Sequence, residues 1–300
     1  MKQFSLLVLL ILTTACGISK KAIEKTEETK KVENEIEIKK DIEVVNKEDI
    51  AVENIDPRVV QKDTIIVVET SELPLPPKPP KSTNNSKNSF DVRLNNILQN
   101  YVSENGEVNY SEIKNDRTDL DIYIDYISEN LPEDSWSKNE KLAYWINAYN
   151  ALTIDLILRN YPIKSIKDIK DPWDQRFWKF GEKWINLNQI EHEILRKMDE
   201  PRIHFAIVCA SFSCPKLQNK AFTASNLDTQ LTNATKEFLA DKNRNIISAD
   251  KLQLSKIFKW FAKDFKTDGN LIDFLNKYTE VEISSGAKKS FLDYNWDLND

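Results

Sequence analysis

Both histidines and two of the three cysteines of this chain fall between His192 and Cys214, within the stretches LNQIEHEILRK and RIHFAIVCASFSCPKL. Three kinds of chemistry fit such a cluster. A cysteine attacks as its thiolate, which needs a base or a positive dipole nearby. Cys209 is followed by ASFSCP, small and polar residues suited to a turn with free backbone N–H groups, which would stabilise an oxyanion. A zinc ion takes two nitrogens and two sulfurs in a tetrahedron, a set that His192, His204, Cys209 and Cys214 supply. The spacing fits zinc only marginally: four residues separate the cysteines, Pro215 follows, and eleven separate the histidines. The third reading is a Cys209–Cys214 disulfide, at home in an oxidising compartment, which would silence the nucleophile or act as its redox switch. The redox motif Cys-x-x-Cys is absent.

A second constellation lies in SKNEKLAYWINAYNALTIDLILRNYP. On a helix, Glu140, Tyr144, Asn147 and Ala151 share one face. An Asn among such apolar neighbours is expensive to bury without partners. Asn147 therefore reads as a ligand for backbone or a substrate carbonyl, or as a structural crosslink. Glu140 reads as the residue that orients a histidine, or as the acid of a capping box with Ser137 three residues before it.

The elements that must position these groups follow from periodicity. FDVRLNNILQNYVS, LDIYIDYISEN, the segment from Ser137 to Pro162, INLNQIEHEILRK from near Asn188, ASNLDTQLTNATKEFLAD and SKIFKWFAKDF are expected helices. IHFAIVC is a continuous, β-branched apolar run bounded by turn formers, and is expected to be a buried strand ending at Cys209. On a regular strand His204 points away from Cys209. His192, carried by a separate helix, can approach the strand's end. NIISADKLQLS reads as a hairpin. The expected fold is α+β, a helix-rich single domain around a small, mainly antiparallel sheet.

The front of the chain bears on location. MKQFSLLVLLILTTACG has an early Lys, an apolar run from Phe4 to Leu12 and small residues leading to Cys16. The run is too short to span a membrane and reads as an export signal. Its end resembles a bacterial lipobox, with Thr13 where Leu is usual, so residues 1–16 are expected to be a lipoprotein signal peptide ending at an acylated Cys16. Acyl chains would hold the protein on a membrane surface outside the cytoplasm. Residues 17–89 contain no aromatic residue, run from Lys/Glu-rich to Pro-rich, and are expected to be a disordered tether. Residues 90–300, holding all seven Trp and all nine Tyr, are expected to form the globular domain. A net charge of −6 without a basic stripe argues against a nucleic-acid partner, and five Gly without a phosphate-cradling loop argue against nucleotide binding. No cofactor is expected.

EKLAYWINAYNALTI, IEHEILR, RIHFAIVCASFSCPKL, LSKIFKWFAKDF and FLDYNWDLN together resemble the domain-of-unknown-function 547 family, over about Val92 to Asn299. The resemblance implies thiol-peptidase-like chemistry with a Cys, a His and an acid. It also implies Cys209 over Cys214 as the working thiol, because similar plant proteins vary the second cysteine. The combined expectation is cysteine-dependent acyl hydrolysis or transfer: Cys209 attacks, His192 moves the proton, and Glu140, ahead of Glu191, fixes the imidazole. His204, Asn147 and Cys214 are further site candidates. The rivals are a non-catalytic surface module that binds a protein, peptide or envelope polymer through its aromatics, and a structural zinc site.

Overall fold

The longest helix of the domain is stabilised at its start by reciprocal hydrogen bonds. Ser137 Oγ accepts from the Glu140 N–H at 3.3 Å, and Glu140 Oε2 accepts from the Ser137 N–H at 2.8 Å. This capping box opens a helix over Lys138–Asn160, which stops before Pro162. The computed structural model to which it belongs describes residues 84–300 except 268, with side chains from Val92 onward. The expected signal, Cys16 and most of the expected tether lie outside the described residues.

The helices and strands run in the order α1 (Asn84–Tyr101), α2 (Tyr110–Asn115), α3 (Thr118–Glu129), α4 (Lys138–Asn160), β1 (Trp178–Phe180), β2 (Lys183–Ile185), α5 (Leu187–Gln189), α6 (Leu227–Ala240), β3 (Ile246–Ile247), β4 (Lys251–Leu254), α7 (Ile257–Trp260), α8 (Leu271–Asn276) and β5 (Lys288–Phe291). Strands β1 and β2 pair antiparallel, and so do β3 and β4, whereas β5 adds to β4 in parallel. The fold is α+β and helix-rich, with two small sheets rather than one. Helix α1 begins at Asn84, inside the stretch expected to be tether. Among the described residues no helix is long and apolar enough to cross a membrane.

Helix α4 is buried all round from Ile146 to Leu158, as befits the centre of a core. Its polar side chains must then find partners inside the protein. Asp155, wholly buried, is paired with Arg117 and with Arg159, and accepts from Trp178 Nε1 at 2.7 Å. Asn147 donates to the Phe222 carbonyl at 2.8 Å and accepts from the Phe222 N–H at 2.9 Å. Both ends of this amide are used on backbone, which makes Asn147 a crosslink.

The expected strand Ile203–Cys209 is not a strand. Pro201–Phe205 is a 3-10 helix, and the chain continues irregularly to Cys209. The run is apolar because it passes between two cores: Ile203, Ala206, Ile207 and Val208 pack on the α4 side, while Phe205 joins Phe238, Phe258, Phe265 and Phe274. Asn150 of α4 stands in for a neighbouring strand, donating to the Ala206 carbonyl at 2.9 Å and accepting from the Val208 N–H at 3.0 Å. Truncating it leaves two buried backbone groups unpaired. Asn150→Ala should therefore lower stability by about 2–3 kcal/mol, read as a shifted denaturation midpoint at constant slope.

Candidate active site

Helix α5 starts at its cap Asn186, whose side chain accepts from the Gln189 N–H at 2.8 Å. It does not continue as an α-helix. Ile190–Ile194 is a π-helical turn, with the Leu195 N–H shared between the carbonyls of Ile190 and Glu191. Such a bulge inserts a residue into the helical repeat and often marks a functional site. Here the sequence neighbours Glu191 and His192 line the same cavity of about 290 Å³. His204, Cys209, Cys214, Tyr149 and Tyr294 line it too, and Trp173, Trp260, Phe261 and Trp296 supply aromatic walls.

The two cysteines form a disulfide with Cα atoms 6.4 Å apart. Cys209 Sγ lies 3.2 Å from Ser211 Oγ and 3.4 Å from the Tyr294 hydroxyl, which is also 3.2 Å from Cys214 Sγ. Between them Ala210 adopts φ 56°, left-handed backbone that a side-chain-bearing residue takes at a cost of about 1–3 kcal/mol. The loop is gripped from both sides. Phe212 and Ser213 donate their N–H groups to the Asp297 and Asn295 carbonyls at 2.7 and 3.1 Å. Arg244 binds the carbonyls of Phe212 and Cys214. Two of the amides expected to face an oxyanion are thus used elsewhere. Among the described residues those of Ala210 and Ser211 have no acceptor.

The histidines are distinguished by their partners. Arg196 Nη1 lies 2.9 Å from His192 Nδ1, and a guanidinium only donates, so that nitrogen accepts and the neutral ring carries its proton on Nε2. Burial and the adjacent Arg196 charge both depress the His192 pKa. His204, stacked on Phe261 at 4.1 Å, donates from Nε2 to Asp264 Oδ2 at 2.8 Å. Arg196 binds the same carboxylate in a fork, at 2.6 and 2.8 Å. Burial opposes ionisation of Asp264, but the hydrogen bonds from Arg196 and His204 outweigh it and hold the group well below the usual carboxylate range. Burial lowers the His204 pKa against the pull of Asp264. A neutral imidazole with its proton on Nε2 presents a lone pair at Nδ1, the form a base requires.

Glu140 goes elsewhere. Its carboxylate serves the capping box, and it lines a separate cavity of about 500 Å³ that shares no residue with the first. Asp264 holds a histidine instead, and it was not legible as such because nothing in SKIFKWFAKDF marks its contact with His204, 60 residues earlier. The reason for setting His204 aside, alternation along a strand, disappears with the strand. As for zinc, no three His, Cys, Asp or Glu side chains among the described residues come together as a metal-holding group.

The span from α4 to α6 thus brings both histidines and both cysteines to one cavity, and it is over this span that a family model matches the chain. Residues 133–239 match the family described as a protein of unknown function, DUF547. The match is narrower than the resemblance from Val92 to Asn299. It includes Glu191, His192, His204, Cys209 and Cys214, while Asp264 and Tyr294 reach the DUF547 span from the chain beyond it. No curated protein and no solved structure matches the chain.

Proposed function

We propose that the domain is a cysteine-dependent acyl hydrolase or acyl transferase, acting on an amide or ester in its dithiol form. One observation carries this reading: Cys209 shares a small aromatic-walled cavity with a histidine that an ionised carboxylate holds in its base-competent tautomer. A dithiol reductant supplies two electrons and two protons to open the Cys209–Cys214 bond. His204 takes the Cys209 proton, Asp264 stabilises the resulting imidazolium, and the thiolate attacks the acyl carbon. The amides of Ala210 and Ser211 are the remaining donors for the oxyanion. His204 replaces His192 in the role of base because Arg196 occupies the His192 nitrogen that would accept the proton.

Thiol labelling tests it. Cys214→Ser leaves Cys209 free without reductant and should react with iodoacetamide below the ordinary thiol pKa of about 8.5. Adding His204→Ala should move the onset up toward that value, and Cys209→Ser should abolish labelling. An onset near 8.5 in Cys214→Ser, unmoved by His204→Ala, would leave no activated thiol. It would favour the alternative, a non-catalytic module binding a protein, peptide or envelope polymer. The ring cluster of Trp173, Trp260, Tyr294 and Trp296 on the cavity wall supports that second reading.

The same proposal places the domain in a bacterial cell envelope, as a lipoprotein anchored through acylated Cys16 and held off the membrane by the tether. The support is the run MKQFSLLVLLILTTACG and the composition that follows it. Cys16→Ala should release the protein from membranes and abolish fatty-acid labelling. A mutant that still fractionates with membranes, with neither form labelled, removes the anchor from the account.

A further inference from the structure

Glu191 has no part in the mechanism above, yet its position is unusual. The π-helical turn puts its carboxyl on the wall of the cysteine cavity, with the residue only 8% exposed. The Tyr149 hydroxyl donates to one oxygen, Oε2, at 3.3 Å. That leaves Oε1 as the oxygen to carry a proton. No cation forms a salt bridge with Glu191 among the described residues, since Arg196 is forked onto Asp264. The Cys209 sulfur lies 3.4 Å from the Tyr294 hydroxyl, and Cys209, Tyr294 and Glu191 line the same cavity.

We infer that Glu191 is the proton donor to the leaving group, and that the acyl substrate is accordingly an amide or alkyl ester rather than a thioester. The inference rests on the acyl-transfer reading. An amine or alkoxide is a poor leaving group unless it is protonated as its bond to carbon breaks, whereas a thiolate leaves without a proton. The steps balance. The Cys209 proton passes to His204 and the sulfur bonds to the acyl carbon. The bond from carbon to the leaving nitrogen or oxygen then breaks, with the Glu191 proton going to that atom. Water attacks the thioester, returning a proton to the Glu191 carboxylate, and the Cys209 thiolate departs to recover its proton from His204. The sum is substrate plus water giving a carboxylic acid and an amine or alcohol.

Burial favours the protonated form of this carboxyl, moving its pKa from 4.5 up to about 7 against the Tyr149 hydrogen bond and the Arg196 charge, with Asp264 adding to the rise. Of the other titratable groups on the cavity, Tyr149 and Tyr294 are raised, His192 and His204 are lowered, and Asp174 accepts from Asn188 at 3.1 Å. A carboxyl titrating near neutrality can both give a proton and take one back.

The test uses the reduced full chain and three acetate esters of rising leaving-group basicity: p-nitrophenyl, phenyl and trifluoroethyl acetate. Acetylation of Cys209 is followed by mass spectrometry at pH 6. Glu191→Gln keeps the shape and removes the transferable proton. It should slow the trifluoroethyl ester about 100-fold more than the p-nitrophenyl ester, a steepened leaving-group dependence that a merely structural role would not produce. Equal slowing of all three esters, or no slowing, overturns the proton-donor role while leaving the Cys209 chemistry in place. A wild-type Cys209 that maleimide modifies but p-nitrophenyl acetate does not acetylate overturns the acyl-transfer reading, and this inference with it.

Discussion

Asp264→Asn is expected to lower the kcat of Cys209-dependent acyl transfer by about 10³-fold or more, the scale of loss when a triad carboxylate becomes an amide. The variant keeps a carbonyl that can accept from His204 but removes the charge that stabilises an imidazolium. His204 is 3% exposed, and the Arg196 guanidinium disfavours charge on the ring, so a proton arriving there would meet repulsion in place of attraction. The onset of Cys209 alkylation should rise in parallel toward the free-thiol value. Arg196 also loses one arm of its fork, so the unfolding midpoint will fall, and rates should be compared well below it. A loss of less than about 10-fold in kcat would assign Asp264 to holding Arg196 and the α7–α8 connection, with no part in proton transfer.

The carboxylate that orients the base shows where sequence reasoning reaches its limit. Local signals were legible. The Ser137–Glu140 capping box, the length of α4 and the β3–β4 hairpin each depend on residues within a few positions of one another. That Cys209, His192 and His204 come close together was also legible, because all lie within one short stretch, and the three line one cavity. The rest is set by tertiary structure. Continuous apolarity in Ile203–Val208 records burial between two cores, and burial alone does not say strand when a side-chain amide, Asn150, can pair the backbone. Glu191 and His192 lie in a π turn, and helical periodicity assumes there is none. Tyr294 and Trp296 come to the cavity, and Asp264 to His204, from the last part of the chain by long-range packing, which leaves no spacing to read. Glu140 shows the converse: an acid at capping-box spacing has a complete local explanation and needs no catalytic one.

Glu191 also gives the molecule a pH-dependent stability whose sign follows from the direction of its shift. Its carboxyl has a pKa of about 7 in the folded protein against 4.5 ordinarily, so between those values the folded chain binds the extra proton. Stability falls wherever the folded state holds more protons than the unfolded one and pH rises. The Glu191 contribution is therefore intact below pH about 4.5 and is lost progressively up to pH about 7, above which a buried carboxylate must be tolerated. At about 1.4 kcal/mol for each pH unit between the two values, the loss amounts to about 3 kcal/mol. His192 and His204 oppose it, because their lowered pKa values make stability rise with pH over the neighbouring range. The wild-type curve alone therefore mixes the three, and the difference from Glu191→Gln isolates the carboxyl. Gln carries no ionisable group and retains an oxygen to accept from Tyr149. Relative to wild type, the variant should gain about 3 kcal/mol between pH 4.5 and pH 8, read from urea midpoints at matched slopes. A difference that stays constant across that range would mean that Glu191 ionises as an ordinary surface acid does. Glu191 would then hold no proton to give at neutral pH, and the preference for amide or alkyl ester substrates would lose its physical basis.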